Sequence, residues 1–225
     1  MSVYFLLEGK TEKPIYRNLL RILLPNYSQV NRPEEALENQ NYYLFSTEGY
    51  PTDPKYLENA IKDVNEFKQY KYLLYCTDAE FLSIEDKIQD IQTRCLAGRE
   101  EIQCAKLIFV IQNRCIETWL LGNRKAIQEN IERKLCQNYI NFYDVCNKDP
   151  ELMDKPDWCQ IKSKNAVTRF HKEYLKAIIP KYSKSCPNEV QSKEFLSELI
   201  NRIQDKPEHL QSFQRLVNFC NSLQN

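Results

Sequence analysis

Carboxylates are the residues of this chain whose placing suits them to chemistry. Glu8 closes the apolar run Val3 to Leu7. Asp78 and Glu80 close another, in "KYLLYCTDAEF", and Glu117 falls in the first turn of a helix suggested by "NRCIETWLLGN". A spacing of two in an extended chain turns Asp78 and Glu80 to the same side. Hard oxygen ligands of this kind suit magnesium or manganese, which keep waters and meet substrate phosphates. Such an ion polarises a phosphoryl oxygen, generates hydroxide, or, as a pair, holds attacking and leaving oxygens in line. Each acid also has a simpler role. Glu8 can be a solvated strand end, and Asp78 can cap the helix after its strand. Glu117 and Glu12 can favour their helix N-termini through the dipole, the role preferred for Glu12.

The elements that must position these acids alternate. A strand at 3–7 precedes a helix from about Thr11 to Leu24, with Thr11 as N-cap, Pro14 in the first turn and Ile15, Leu19 and Leu23 facing a sheet. A loop rich in Asn, Pro and Glu runs to about Gln40. Strands are expected at Asn41 to Thr47, within "KYLLYCTDAEF" and at Ala105 to Gln112. Helices are expected over "PTDPKYLENAIKDVNEFKQY", Ile84 to Gln103 and Arg114 to Leu121. This alternation predicts an α/β fold, a parallel Rossmann-like sheet flanked by helices, with the acids at its carboxyl edge, where open parallel sheets bind ligands. From about Lys125 no strand is apparent, and helices are expected at Lys125 to Gln137, Asn165 to Ile179, Ser192 to Gln204 and Pro207 to Leu223. The division read from the pattern is a core over 1–124 and a helical region over 125–225 packed on it.

"EGKTEK" contains Gly9-Lys10-Thr11, the tail of a nucleotide-binding P-loop. That loop needs a glycine five positions before Gly9, and Tyr4 stands there inside the apolar run. Glu8, rather than Lys10, is therefore the principal candidate, with Lys10 a contact to substrate.

The chain has 225 residues, with 31 Lys plus Arg against 31 Asp plus Glu, so an overall coat of positive charge is excluded and a local basic groove is not. Nine cysteines stand singly without a C-x-x-C pair, which argues against a zinc ribbon and for reduced thiols in the cytoplasm. The Met1 end lacks a basic region and its apolar run breaks at Glu8, so no signal peptide is expected. No apolar run reaches the length of a membrane span, and no membrane association is expected.

"LLEGKTEKPIY", "LYCTDAEF" and "IETWLLG" together resemble the Toprim domain of OLD-type nucleases and their small bacterial relatives. Toprim is the fold shared by topoisomerases and bacterial primases. The tail, "IIPKYSKSCP" with "LINRIQDKPEHLQSFQRLVNF", resembles the carboxyl-terminal part of a Toprim-like bacterial family of unknown function. The family pattern is Glu-Gly after the first strand and Asp-x-Asp after the third. Here the second motif is Asp78-Ala79-Glu80, whose last acid reaches a methylene further. The resemblance implies metal-dependent phosphodiester chemistry, that of a nuclease acting on DNA or RNA. It carries over Glu8, Asp78 and Glu80 as ligands of magnesium or manganese, with Glu117 and Glu12 as further acids. OLD-type proteins couple Toprim to an ATPase. This chain has no Walker motif, so an ATPase would be a separate partner, and related small proteins make phage defence the implied setting.

Between Lys155 and Lys184 eight basic residues stand against Asp157 and Glu173, a local +6, with Trp158, Phe170, Tyr174 and Tyr182 interleaved. Such a stretch can hold a phosphate backbone and stack bases. The commoner arrangement is an amphipathic helix with a solvated basic face and buried rings. Within the tail, Lys184, Arg202 and His209 are candidate phosphate contacts, and Lys184 or Arg202 is expected to approach the acidic edge. Two functions follow: a metal-dependent nuclease, or a non-catalytic Toprim-like module that engages a partner protein.

Overall fold

The structure, a computed structural model, describes residues 1–37, 39–49, 53–98, 100–180, 182 and 189–224. The chain divides into two compact units, one of residues 1–77 and 83–111, the other of 78–82 and 112–225. These differ from the sequence blocks 1–124 and 125–225, because the "DAEF" turn and the chain after Ile111 make their contacts with the later helices.

The first unit carries a five-stranded, all-parallel sheet flanked by helices, a Rossmann-like α/β arrangement. In chain order its elements are β1 (Ser2–Leu7), α1 (Lys13–Leu23), β2 (Ser28–Val30), β3 (Asn41–Ser46), α2 (Pro54–Glu66), β4 (Tyr70–Asp78), α3 (Ile84–Ile91) and β5 (Lys106–Gln112). The strand order is β2-β3-β1-β4-β5. Every residue of β1 is buried, as a central strand covered on both faces requires. In register, Leu7 of β1 lies beside Ser46 of β3 and Cys76 of β4. The chain winds to one side of β1 through β2 and β3, then crosses to the other side to form β4. The carboxyl ends of β1 and β4 therefore mark the topological switch point.

The helices form where apolar spacing and caps agree. Ile15, Leu19 and Leu23 of α1 are buried as expected, together with Tyr16 and Leu20. The N-cap is Glu12 rather than Thr11, and it makes no side-chain capping bond. Asp53 caps α2 through the Lys55 N–H, and Ser83 caps α3 through Asp86 N–H. Three local expectations are corrected. The segment read as a loop contains the short edge strand β2 and a 3₁₀ turn, Pro33–Glu35. The long helix expected to Gln103 ends as α3 at Ile91, followed by a π-helical turn, Gln92–Leu96. The helix expected from Lys125 to Gln137 is two helices.

The second unit is helical: α4 (Ile116–Leu120), α5 (Arg124–Glu129), α6 (Lys134–Phe142), α7 (Ala166–Ile178), α8 (Lys193–Asp205) and α9 (Gln211–Ser222). Its core includes Trp119, whose ring lies 5.2 Å from that of Phe213. The Trp119 indole N–H donates to Ser212 Oγ at 2.7 Å, and Ser212 Oγ donates to Glu151 Oε1 at 2.5 Å. Trp119 and Leu120 are thus core residues. Phe170 and Tyr174 are buried on α7, while Trp158 stays 52 % exposed, so the rings of the basic stretch serve mainly packing. No helix among the described residues is long and apolar enough to cross a membrane.

Candidate functional site

In the first unit, β1 runs straight into the Glu8-Gly9 turn. Glu8 N–H donates to Cys76 O at 3.0 Å, continuing the sheet pairing by one residue. Its side chain is buried, and Oε2 accepts the Thr77 hydroxyl at 2.5 Å. The Thr47 hydroxyl donates to the Glu8 carbonyl. Glu8 is therefore a fixed carboxylate at the switch point, not a solvated strand end. Glu12 is also buried and folds back on the same turn, where a methyl added at Gly9 would lie 3.6 Å from its Oε1. Tyr4 is a buried β1 residue and Lys10 is an exposed residue ion-paired to Glu48 at 2.7 Å, so "GKT" forms no phosphate loop.

In the second unit, the "DAE" turn is stitched to the chain that enters α4. Ala79 N–H donates to Gln112 O at 2.9 Å and Glu80 N–H to Arg114 O at 2.9 Å. Asp78 Oδ1 accepts the Ile116 N–H at 3.0 Å. Asp78 thus caps a helix, but α4 rather than the helix that follows its own strand. Glu80 and Arg114 both take left-handed backbone angles, φ +58° and +71°. That conformation costs a side-chain-bearing residue roughly 1–2 kcal/mol and gathers at functional sites. The Thr168 hydroxyl, on α7, holds the Glu80 carbonyl at 3.1 Å.

Glu117, in the first turn of α4, is 2 % exposed. Its Oε1 accepts the Tyr182 hydroxyl at 2.9 Å, and its Oε2 has no hydrogen-bond partner among the described residues. Burial and the Glu117 charge push the Tyr182 phenol far above its ordinary range, so it remains the donor. The next residue, Thr118, meets the fully buried His171 on α7 at 2.8 Å from Nδ1. His171 Nε2 lies 2.9 Å from the Met153 carbonyl, which can only accept. Burial lowers the His171 pKa to about 4, so the ring is neutral, with its proton on Nε2 and Nδ1 accepting from Thr118.

Lys172 follows His171 and joins these groups electrostatically. Burial acts to lower its pKa, but Glu117 first, then Cys115, Asp78 and Glu80, raise it, and the net effect is upward. One ammonium therefore feels the three candidate acids of this unit, Glu117, Asp78 and Glu80. Cys115, buried beside Glu117 and Asp78, has its thiol pushed well up, chiefly by burial, and stays protonated. Among the described residues no group of three or more His, Cys, Asp or Glu is gathered closely enough to hold a metal ion. The donor chemistry still fits magnesium or manganese, which need only one or two carboxylates when substrate phosphates complete the shell. The orphaned Glu117 Oε2 fits the same requirement.

The remaining candidates fall elsewhere. Arg202 is 0 % exposed, and its guanidinium donates to the carbonyls of Gly122, Val145 and Lys148 at 3.2, 2.7 and 2.8 Å. Its Nη2 also donates to His209 Nδ1 at 2.9 Å. Both residues, expected to touch phosphate, form an internal clamp. Burial first and Arg202 second lower the His209 pKa, consistent with a neutral accepting ring. Lys184 lies outside the described residues. Sequence reasoning passed over Thr118 and His171 as site residues, counted Tyr182 only as a ring that could stack or pack, and counted Lys172 only among eight basic positions. The available signal was helical spacing: Arg169, Lys172, Glu173 and Lys176 share one face of α7, opposite the buried Phe170, Tyr174 and Ala177.

The fold and the site together define a parallel α/β protein with carboxylates at strand ends and, in the second unit, a part-buried lysine that feels Asp78, Glu80 and Glu117. No protein-family model, curated protein or solved structure matches the chain.

Proposed function

We propose that this chain is a metal-dependent nuclease of Toprim-like type, hydrolysing phosphodiester bonds in DNA or RNA. The observation that carries the reading is Lys172, a part-buried ammonium on which the charges of Glu117, Asp78 and Glu80 all act. Carboxylates that share the field of one ammonium mark a place where charge is to be balanced, as a cation or a phosphate would require. Asp78, Glu80 and Glu117, all of the second unit, are the proposed magnesium or manganese ligands; for Glu8, of the first unit, the ligand role rests on the resemblance alone. The ion, when bound, would supply Lewis-acid polarisation of the phosphoryl group. Lys172 would offset charge developing on the phosphoryl oxygens, and the Ile116 and Tyr182 bonds would hold Asp78 and Glu117 in fixed orientations. A separate ATPase partner and a phage-defence setting belong to this reading through the resemblance alone.

The second reading, a non-catalytic module that binds a partner protein, is favoured by the engagement of Asp78 Oδ1 with Ile116 N–H. Manganese separates the two. The nuclease reading expects manganese to raise the melting temperature of the parent and to support cleavage of single- and double-stranded DNA or RNA. Asp78→Asn and Glu117→Gln, assayed as separate arms, should lose both effects while remaining folded without metal, and Glu8→Gln tests the first unit's acid by the same two readouts. Melting unaffected by manganese in the parent, with no cleavage of any of these substrates, would leave the binding module.

A further inference from the structure

The basic face of α7 lines a cleft of about 560 Å³, bounded by Glu117, Ile161, Arg169, Lys172, Lys176 and Tyr182. That volume lies within the range of small-molecule sites, roughly 300–1,000 Å³. It is many times the share of one water, about 30 Å³, so a bare inorganic ion would leave most of it to solvent. The wall is cationic: Arg169, Lys172 and Lys176 come one helical turn apart along α7. Glu173 pairs with Lys176 at 2.8 Å, but both side chains are half exposed, so the pair is weak and yields readily to a stronger anion. Ile161 and the Tyr182 ring add apolar surface.

The buried end of the cleft has the opposite demand. Glu117 Oε2 is out of contact with solvent and accepts from no described group, while its sister oxygen is already engaged by Tyr182. A buried, unpartnered acceptor is costly, typically by about 1–3 kcal/mol, and a ligand donor would relieve it. A ligand that fits must therefore carry an anion for the wall and a hydrogen-bond donor for the buried end, with a body large enough to span them.

We propose that this cleft binds a nucleotide-class monophosphate, with the phosphate against Arg169, Lys172 and Lys176 and a sugar hydroxyl donating to Glu117 Oε2. Lys172 is suited to this place because the neighbouring carboxylates keep it charged at neutral pH. The ligand is either a free nucleotide or the phosphorylated end of a strand. The assignment shares Glu117 with the proposed nuclease site and rests in that respect on the same reading, but it requires no metal.

The test is calorimetry on the full chain in EDTA, titrated with 5′-AMP, 2′,3′-dideoxy-AMP and inorganic phosphate. AMP should bind about tenfold or more tighter than either of the others, because a site built to accept a hydroxyl rejects the analogue lacking it. Arg169→Ala combined with Lys176→Ala, both on the exposed face, should weaken AMP by about tenfold or more. Glu117→Gln should erase the preference for AMP over its dideoxy analogue; should that variant fail to fold, the Arg169 and Lys176 pair still decides the matter. A 5′-phosphorylated tetranucleotide that outcompetes AMP identifies a strand end, and the reverse identifies a free nucleotide; both uphold the shared chemistry. AMP binding no tighter than phosphate, or unchanged in the double variant, overturns the proposal. Manganese-dependent cleavage without AMP binding would remove this inference and leave the nuclease reading. AMP binding without cleavage under any metal would do the converse.

Discussion

His171 should make the stability of this protein fall on mild acidification. The ring is buried between the Thr118 hydroxyl and the Met153 carbonyl, and both its nitrogens are engaged in the neutral form. Burial is the main reason its pKa drops from 6.5 to about 4, and the Arg114 charge adds to it; the Met153 bond and the charges of Glu117 and Asp154 pull the other way. Between those two values the unfolded chain binds a proton that the folded chain refuses. Stability contributed by the neutral ring is therefore complete above pH 6.5 and declines as pH falls toward 4. Each tenfold change in proton affinity is worth about 1.4 kcal/mol, so the loss reaches about 2.5 kcal/mol by pH 4.5. The assay is urea unfolding from pH 4.5 to 7.5 for the parent and for His171→Gln, which cannot titrate there. The variant should be less stable at pH 7.5 by about 1–3 kcal/mol through its altered hydrogen bonds. That gap should shrink by about 2.5 kcal/mol at pH 4.5. His209, whose pKa is also lowered, acts with the same sign, and the buried Glu151, whose pKa is raised, acts with the opposite one. Both are common to parent and variant and cancel in the difference. A gap that stays constant across the range would refute the assignment of a buried neutral ring.

Gly122→Ala should lower stability by about 1–3 kcal/mol, because the added carbon would lie 2.8 Å from the Trp119 carbonyl and 2.5 Å from Leu210 Cδ1, and backbone cannot step aside as a side chain can; thermal melting checks it. Arg202→Lys should cost about 3 kcal/mol or more, since one ammonium cannot span the Gly122, Val145 and Lys148 carbonyls that the guanidinium fork reaches. Equal denaturation midpoints for Arg202→Lys and the parent would contradict the clamp. Ser192→Ala should cost about 1 kcal/mol by removing the side-chain acceptor of Phe195 N–H at the start of α8, measured as a shift in the urea midpoint.

The sheet was legible because its signals are local. Four of the five strands are apolar runs, and residues buried on both faces leave few alternatives to a parallel sheet. The strand that was missed, β2, has three residues, none of them fully buried, and so carried no pattern to read. The helix expected to Gln103 failed for a related reason: periodicity continues past Ile91, but the backbone leaves the α geometry there. The strand-end acids were also legible, since an acid closing an apolar run stands out by contrast. Their surroundings were not. Nothing local tells that Asp78 would cap α4, that Tyr182 would reach back 65 positions to Glu117, or that Lys172 would feel the charges of Glu117, Asp78 and Glu80. Arg202 and His209 looked like surface charge, and became internal because three carbonyls from distant loops needed donors once buried. Sequence determines which residues prefer strand, helix or turn, because propensity and burial pattern act over a few residues. Which polar groups meet was decided by chain crossings 50 to 90 residues apart, because a buried polar atom takes whatever partner the packing brings within hydrogen-bond reach.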